Sequence, residues 1–345
     1  MKVSAFSFHL PPSLNAAMPP ERRGIRRDYV RMMVLDRESG RMEHTAFHQL
    51  SAYVRPGDML VMNASRTVPA VMTADLRTQG SASARTVEIR LARRLNEAMW
   101  EVLPVAASLS TGDTLVFSSL LHAEVTDTTR PPFATLVFSQ TGTKLYDSIY
   151  ALGEPIRYEY IQKKWELDYY QTVFATVPGS VEMPSAGRAF SWELLFKLRR
   201  QGIGTAYLQL HTGLSYLLDD NKPFDPSEHY EHYVIPEATA TAITQTKQAG
   251  GRVIAVGTTV VRALESAARR DTALQAQSGW TNLHVERSFP LQIVDGLITG
   301  FHEPEASHLD LLSAFVEPSL LLDAYGEAIR EQYLWHEFGD MNLII

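Results

Sequence analysis

The chain has 345 residues, of which 45% are hydrophobic and 21% charged, a composition typical of a globular protein of about two domains. It contains no cysteine, which excludes disulfides, a cysteine nucleophile and thiolate-bound zinc, and favours a reducing cytoplasm. The net charge of −7 excludes a generally basic nucleic-acid-binding protein, so any contact with nucleic acid must use a local patch. The N-terminal pattern is that of neither a signal nor a transit peptide, and no apolar run reaches the roughly 18 residues of a membrane helix, which predicts a soluble protein.

The first 150 residues predict mixed structure followed by β structure. Residues 31–36 form a short apolar run, 48–55 have a helical pattern, and 59–62 have the pattern of a buried strand. From about Val68 to Phe138, short runs of alternating apolar and polar residues are separated by turn residues. This spacing predicts a small inserted β-barrel or sandwich.

After about residue 155 the pattern returns to alternating helices and strands. The predicted elements are a helix from the N-cap Ser191 to Gly202, a strand over 205–211, a helix from Pro236 to Ala249, a strand over 252–256 and a helix over 257–269. The sequence therefore predicts an α/β main domain, residues 1–67 and 151–345, interrupted by an inserted all-β, barrel-like domain, residues 68–150.

The turn formed by Gly257, Thr258 and Thr259 is a candidate anion site. A buried strand leads through it into a helix, so backbone N–H groups and two hydroxyls converge at the positive end of the helix dipole. The alternative is that one of the threonines only caps the helix.

Several histidines lie at the predicted ends of elements and are candidate acid–base groups. They are His211, His229, His232 and His302, with Glu231 between two of them. A metal would require these side chains to converge, and because no HExxH or similar pattern occurs we predict no metal site. The alternative for each histidine is a structural hydrogen-bonding role.

Two further groups could bind polar ligands. Asn63 and Arg66 follow a buried strand and suit a polar substrate, unless Arg66 is an incidental surface residue. With Tyr29, a cluster of arginines could hold phosphates and stack on a base, the alternative being a solvated face balanced by nearby acids. The cluster consists of Arg22, Arg23, Arg26, Arg27 and Arg31.

Motifs spread over the whole chain occur in the order found in one known family. They include Arg55-Pro-Gly-Asp58, Asn63-Ala-Ser-Arg-Thr-Val-Pro-Ala70, Tyr170-Gln-Thr-Val-Phe-Ala175, Pro184-Ser-Ala-Gly187, Leu210-His211, Val256-Gly-Thr-Thr-Val-Val-Arg-Ala-Leu-Glu-Ser266 and Phe301-His302. Together they resemble the S-adenosylmethionine:tRNA ribosyltransferase-isomerase family of queuosine biosynthesis. The family's fold, an α/β domain interrupted by a β-barrel, agrees with the predicted insertion.

The resemblance implies a transferase and isomerase that moves the ribosyl part of S-adenosylmethionine onto 7-aminomethyl-7-deazaguanine in a tRNA anticodon, giving epoxyqueuosine and releasing adenine and methionine. The positive sulfur acidifies the neighbouring C5′ hydrogens, so a positioned base can start the reaction without a metal or tightly bound cofactor. S-adenosylmethionine is then a co-substrate and the anticodon arm of tRNA a partner. We expect a cytoplasmic monomer or weak oligomer that does not bind membranes.

Transferred to matching positions, the resemblance suggests roles for the candidate residues. The Gly257 turn holds the methionine carboxylate or a ribose hydroxyl, and Arg66 and Arg262 bind anionic or carbonyl groups. His211, His302 and Glu231 are the candidate bases. We expect one cleft, between the main domain and the barrel, to be lined by Arg66, His211, Thr258, Thr259, Arg262 and His302.

Several family motifs are altered in this chain. Ala189 replaces a histidine, Glu305 stands where a lysine is expected, Pro226 replaces the first histidine of a HxMHxE signature, and the segment after His211 is bulkier than the family's glycine-rich one. These departures leave two alternatives open. One is a divergent paralogue that uses S-adenosylmethionine or a related nucleoside with a non-tRNA acceptor, and the other is a catalytically silent relative that binds RNA or a ligand.

Overall fold

The computed structural model describes residues 6–78, 84–215, 229–268 and 274–345. Over these ranges the chain forms a nine-stranded mixed sheet with helices and a closed six-stranded barrel, which confirms the predicted fold class. All six barrel strands lie within 68–150, although the division into two domains stays a prediction. None of the helices in the described ranges is long and apolar enough to cross a membrane.

The nine-stranded sheet is the centre of the larger part of the molecule. Its strands are β1 (Arg31–Leu35), β2 (Met42–Ala46), β3 (Met59–Asn63), β12 (Gly204–Leu210), β13 (Glu231–Ile235), β14 (Val253–Val256), β15 (Gln277–Thr281), β16 (Gly296–Thr299) and β17 (Met341–Ile344). Their order is β15-β13-β12-β3-β14-β16-β17-β1-β2. The neighbours β12, β3, β14 and β16 are parallel, so their carboxyl ends meet at one edge, where open α/β sheets bind ligands.

The barrel is antiparallel throughout. It consists of β5 (Val71–Arg77), β6 (Ala84–Arg94), β7 (Met99–Val105), β8 (Thr114–Val116), β9 (His122–Asp127) and β10 (Ala134–Phe138), closed in the order β10-β7-β6-β5-β8-β9. Inward residues of β5 such as Ala74 and Leu76 are buried, whereas Asp75 between them is exposed. The two-residue period seen in the sequence therefore reflects one face packed inside the barrel.

The chain enters and leaves the barrel at one point. The N–H of Val71 donates to the carbonyl of Glu154 (2.9 Å) and the N–H of Glu154 donates back (2.8 Å). Nearby, β4 (Ser65–Thr67) pairs in parallel with β11 (Val177–Ser180). Three residues outside the 68–150 segment pack into its core cluster, namely Ile156, Val181 and Leu214, so apolar contacts attach the barrel to the rest of the molecule.

The helices are α1 (Gly142–Leu152), α2 (Trp192–Arg200), α3 (Glu237–Gln248), α4 (Thr258–Ala267), α5 (Ser307–Leu312) and α6 (Pro318–Arg330). Ser191 Oγ accepts a hydrogen bond from the N–H of Leu194 (3.1 Å), which confirms it as the N-cap of α2. Pro236 is the N-cap residue of α3, so this helix begins at Glu237, one residue later than predicted. The predicted helix at 48–55 is a short 3-10 helix, Phe47–Ala52.

Helices cover both faces of the large sheet. α3, α4 and α6 share one apolar cluster with β3, β12 and β14, and α2 with the 3-10 helix at Phe47–Ala52 forms a second cluster on the other face. α1 buries Leu145 and Ile149 in the barrel core. The edge of the sheet beyond β12, β14 and β16 is left for the loops that form the site.

Candidate active site

A cleft of about 470 Å³ lies at the carboxyl ends of β12, β14 and β16. Its walls are the loops that follow these strands, with residues 182–186 and the chain near 336–337 opposite them. This volume lies in the range of small-molecule sites. No residue of the barrel strands lines it, so the cleft lies within the α/β part of the molecule and not between it and the barrel as expected.

The Gly257 turn forms one end of the cleft. Gly257 has φ 97° and ψ 151°, and a Cβ there would lie 3.3 Å from the Cβ of Ala186, so a side chain is disfavoured by both conformation and space. α4 begins directly after it, and no side chain caps its N-terminus. The backbone of this turn, with Thr258 and Thr259, thus faces the cleft as the sequence suggested.

Arg262 and Glu231 form an ion pair on the cleft wall. The N–H of Gly213 donates to Glu231 Oε1 (3.0 Å), and His229 Nε2 lies 3.6 Å from the same oxygen. Burial on its own raises the pKa of Glu231, but the charge of Arg262, the neighbouring His229 and the Gly213 N–H outweigh burial and hold the pKa at about 2. Glu231 is therefore an ionised group that fixes Arg262, and its carboxylate oxygens are already engaged by Arg262 and the N–H of Gly213.

His302 lies on a second wall, stacked on His308 with ring centroids 4.5 Å apart and planes within 2°. Its Nε2 is 2.8 Å from Thr299 Oγ1, and its carbonyl accepts a hydrogen bond from Trp335 Nε1 (3.0 Å). Burial, reinforced by His308, places the pKa of His302 well below its ordinary value. The ring of His302 is therefore neutral near pH 7.

His336 and Glu337, which sequence reasoning missed, form a third wall. His336 adopts φ 71° and its ring stacks against Tyr158 and Tyr160 at 5.5 and 5.2 Å. Burial, with the charge of Glu182 nearby, raises the pKa of Glu337 to about 8. Its Oε2 is buried without a hydrogen-bond partner in the described structure. Residues 335–339 lie in the loop between α6 and β17 and carry none of the sequence motifs, so no local pattern predicted their place in the cleft.

His211 lies outside the lining of the cleft. Leu210 is buried in the cluster that α3 and α4 share with the sheet, so the next residue points to the opposite face. There His211 Nδ1 is 2.7 Å from Ser65 Oγ, and burial lowers the pKa of His211 to about 4. Its proposed role as the base stays a prediction.

Asn63 and Arg66 also lie outside the lining. Asn63 is buried, and its Nδ2 donates to the carbonyl of Leu210 (2.8 Å) and more weakly to Thr259 Oγ1 (3.4 Å). Through the contact with Thr259, Asn63 helps to hold the Gly257 turn in place. Arg66 is exposed, with its guanidinium 5.8 Å from the ring centre of Tyr150. The substrate-binding roles of Asn63 and Arg66 stay predictions.

The arginine cluster near the N-terminus is largely neutralised by carboxylates. Arg26 pairs with Asp28, Arg27 with Glu21, and Arg31 with Glu331. Arg23 donates to the carbonyl of Phe338 (2.9 Å), whereas Arg22 stacks on Tyr169. The balanced alternative weighed from the sequence thus describes much of this cluster, and its contact with RNA stays a prediction.

The altered family positions fall in different places. Ala189 is buried in the apolar cluster beneath the sheet and does not line the cleft. Glu305 does line it, at φ 64°. Pro226 lies outside the described residues. Across the parts of the chain that are described, no group of three or more histidine or acidic side chains is arranged to hold a metal ion.

Comparisons with known proteins point to one family. Residues 3–344 match the model of a family described as "Queuosine biosynthesis protein". Proteins named S-adenosylmethionine:tRNA ribosyltransferase-isomerase from Thermoanaerobacter sp. (strain X514), Halothermothrix orenii and Thermotoga maritima are 35%, 36% and 35% identical, over 100% of both chains in each case. A crystal structure of an S-adenosylmethionine tRNA ribosyltransferase from Thermotoga maritima matches with a TM-score of 0.57 and 31% identity over 99% of this chain and 100% of that one.

Proposed function

The chain belongs to the queuosine biosynthesis protein family, and from that premise we propose that it transfers and isomerises the ribosyl moiety of S-adenosylmethionine onto 7-aminomethyl-7-deazaguanine in tRNA. The product is epoxyqueuosine, and adenine and methionine are released. The enzyme is thus a transferase and isomerase that uses S-adenosylmethionine as a substrate.

The cleft has one part suited to anions and another suited to cations, and this observation supports placing the reaction in the cleft. The start of α4 and Arg262 favour an anionic group, whereas Glu182 and the ring of Tyr158 favour a cation. S-adenosylmethionine carries a carboxylate together with a sulfonium and an ammonium. We place its carboxylate at the Gly257 turn and its sulfonium toward the acidic, aromatic wall.

The acid–base roles follow from position and charge. Removal of a C5′ proton needs a neutral or anionic acceptor in the cleft, and of the three candidate bases only His302 combines a place on the lining with a ring that is neutral and free of a cationic partner. Departure of adenine needs a proton donor, and we assign Glu337, whose raised pKa keeps its carboxyl protonated at neutral pH. Glu231 positions Arg262.

The acceptor side of the reaction completes the proposal. The base to be modified lies in the anticodon arm of a tRNA and enters the open side of the cleft after leaving its stack. Because the cytoplasm supplies both substrates, we expect activity there, from a monomer or weak oligomer without a tightly bound cofactor.

The test is mass-spectrometric detection of adenine and methionine released from S-adenosylmethionine by the purified protein, with and without tRNA carrying 7-aminomethyl-7-deazaguanine. We expect release only with that tRNA, and a matching gain in mass on its base. Release without tRNA would instead identify a paralogue with another acceptor. Binding of S-adenosylmethionine or tRNA with no release would identify a silent relative.

Variants tie the activity to the cleft. Arg262→Gln and His302→Gln are expected to lower turnover by at least tenfold in folded protein, because each removes a group that faces the substrate. Arg199→Gln, at an exposed position late in α2, serves as the control. Full activity in both cleft variants would remove these assignments.

A further inference from the structure

A second group of arginines lies beside the cleft and, unlike the cluster at the N-terminus, is interleaved with aromatic rings. Arg93 and Arg94 end β6 of the barrel, and Arg66 lies on β4. Arg66 and Arg94 have no carboxylate partner among the described residues, whereas Arg93 pairs with Glu101 (3.1 Å). This group therefore keeps a local positive charge on a protein whose net charge is negative.

The aromatic rings connect these arginines into one surface. Arg66 lies over Tyr150 (5.8 Å), Arg94 over Tyr146 (5.6 Å) and Arg93 over Trp280 (5.7 Å). His232 packs edge-on against Trp280 at 5.2 Å. We call the surface formed by these side chains, together with Tyr230, the arginine–aromatic surface.

Part of the arginine–aromatic surface is open to solvent. Trp280 is 45% exposed and Tyr230 42%, which is high for large aromatic side chains. Exposed aromatic rings between arginines are the arrangement that single-stranded nucleic acid uses, because bases stack on the rings while phosphates bind the guanidinium groups.

The surface reaches the rim of the cleft. Arg93 donates a hydrogen bond to the carbonyl of Tyr230 (3.0 Å), and the neighbours of Tyr230, His229 and Glu231, both line the cleft. The carbonyl of Ala92 accepts a hydrogen bond from the N–H of Leu214 (2.9 Å), next to Gly213 on the cleft wall. A polymer bound across the surface therefore passes the cleft entrance.

We propose that the arginine–aromatic surface docks a single-stranded loop of RNA, with phosphates on Arg66 and Arg94 and bases stacked on Trp280 and Tyr230, so that one base can enter the cleft. The inference rests on the proposed function for the identity of that RNA as tRNA. It assigns the docking to the barrel side of the cleft, away from the arginine cluster at the N-terminus.

The experiment measures the affinity of a fluorescent tRNA carrying 7-aminomethyl-7-deazaguanine by anisotropy over a series of KCl concentrations. For the double variant Arg66→Gln/Arg94→Gln we expect affinity to fall at least tenfold at low salt, and the slope of log affinity against log salt to flatten by about 1.4, or about 0.7 for each lost contact with a single strand. For Trp280→Ala we expect about a tenfold loss with the slope unchanged, because stacking does not release counterions.

Two controls decide between surfaces. Arg200→Gln, at an exposed position at the end of α2, is expected to change neither quantity. Arg22→Gln/Arg26→Gln tests the other cluster, and a flattened slope there with none in Arg66→Gln/Arg94→Gln overturns the inference. If the double variant unfolds at a lower temperature, the single exposed variant Arg66→Gln, with half the change in slope, takes its place.

Failure of this inference is distinguishable from failure of the proposed function. Adenine release by the unaltered protein, together with an unchanged slope in the double variant, overturns the docking surface alone. A flattened slope without adenine release by the unaltered protein supports the surface and overturns the proposed reaction. Calorimetric titration of S-adenosylmethionine, expected to be unchanged in the single variant Arg94→Gln, shows that the cleft is intact.

Discussion

Glu231 and Glu337 line the same cleft, yet their surroundings shift their pKa values in opposite directions. Arg262 holds Glu231 ionised with a pKa of about 2, whereas burial beside Glu182 raises that of Glu337 to about 8. Two carboxyl groups whose pKa values differ in this way can serve separate purposes at one pH, one as a fixed charge and one as a proton donor. The chemistry thus follows from the neighbours of each glutamate.

Replacing Glu337 tests the donor directly. In the unaltered enzyme the carboxyl is protonated below a pH of about 8, so turnover should fall as the pH rises through that value. Glu337→Gln keeps the shape but has no proton to give, and we expect turnover to fall by about 10²- to 10⁴-fold and this limb of the pH profile to disappear. Adenine release at pH 6 to 10 measures both.

The control for that experiment is Glu159→Gln, at an exposed position next to Tyr158 in the sequence, which should leave the rate and its pH profile unchanged. A Glu337→Gln variant with near-normal turnover and the same limb near pH 8 would show that another group donates the proton.

The buried side chain of His336 makes a prediction about acid stability. Burial lowers the pKa of His336, whose side chain is 6% exposed, to about 4, against about 6.5 in an unfolded chain. Between these values the unfolded state binds more protons, so the free energy of unfolding must decrease as the pH falls from about 6.5 toward 4. Urea unfolding at pH 7 and pH 5 should show this loss, and His336→Phe, which cannot be protonated, should show less of it.

His122→Gln, at an exposed position on the barrel, is the comparison for His336→Phe and should lose as much stability on acidification as the unaltered protein. An equal loss in both variants would mean that His336 is not one of the groups responsible.

At the scale of elements, the junction between β14 and α4 combines a buried strand, a glycine and an uncapped helix start. For Gly257→Ala we expect a loss of about 1–3 kcal/mol in the free energy of unfolding, because φ 97° with ψ 151° suits glycine alone and the new Cβ approaches Ala186. The displaced turn should also weaken S-adenosylmethionine binding, measured by calorimetry.

Gly250→Ala separates strain from binding. Gly250 also has a positive φ, 77°, but nothing lies within 4 Å of a Cβ there, so we expect a loss of about 1–2 kcal/mol and unchanged affinity for S-adenosylmethionine. Equal affinities in both glycine variants would place the carboxylate away from the Gly257 turn.

Elements governed by local patterns were predictable from the sequence, and those governed by distant contacts were not. The alternation in β5 and the cap at Ser191 depend on neighbours in the chain, and both predictions are confirmed. Gly257 and His302 reached one cleft because parallel strands end at the same edge. The alternation that buries Leu210 also indicates that His211 faces away, whereas nothing local indicates that α1 packs in the barrel core or that Glu337 reaches the cleft.

At the scale of the whole molecule, the barrel core and the cleft wall share residues. Leu214 is fully buried among barrel side chains, while its neighbour Gly213 holds Glu231. For Leu214→Ala we expect a loss of about 2–5 kcal/mol in the free energy of unfolding and weaker S-adenosylmethionine binding, since the wall is no longer fixed. Thermal unfolding and calorimetry measure the two effects.

Leu115→Ala is the matched control for Leu214→Ala, because it creates a similar cavity in the barrel core. Leu115 is equally buried in the barrel, on β8, and is remote in sequence from the cleft loops. A similar loss of stability with unchanged affinity is expected, and a similar loss of affinity in both variants would mean that the barrel acts on the cleft only through overall stability.

The paired hydrogen bonds between Val71 and Glu154 have a consequence for protein engineering. They bring the two ends of the barrel segment side by side, so a transplanted barrel from a relative could be spliced in at this point with little rearrangement of the flanking chain. Five residues outside the exchanged segment also pack in the barrel core and remain behind in the recipient, namely Val68, Ala70, Ile156, Val181 and Leu214. A functional chimera therefore requires a graft whose interior accommodates these five side chains, and their fit can be checked before any gene is assembled.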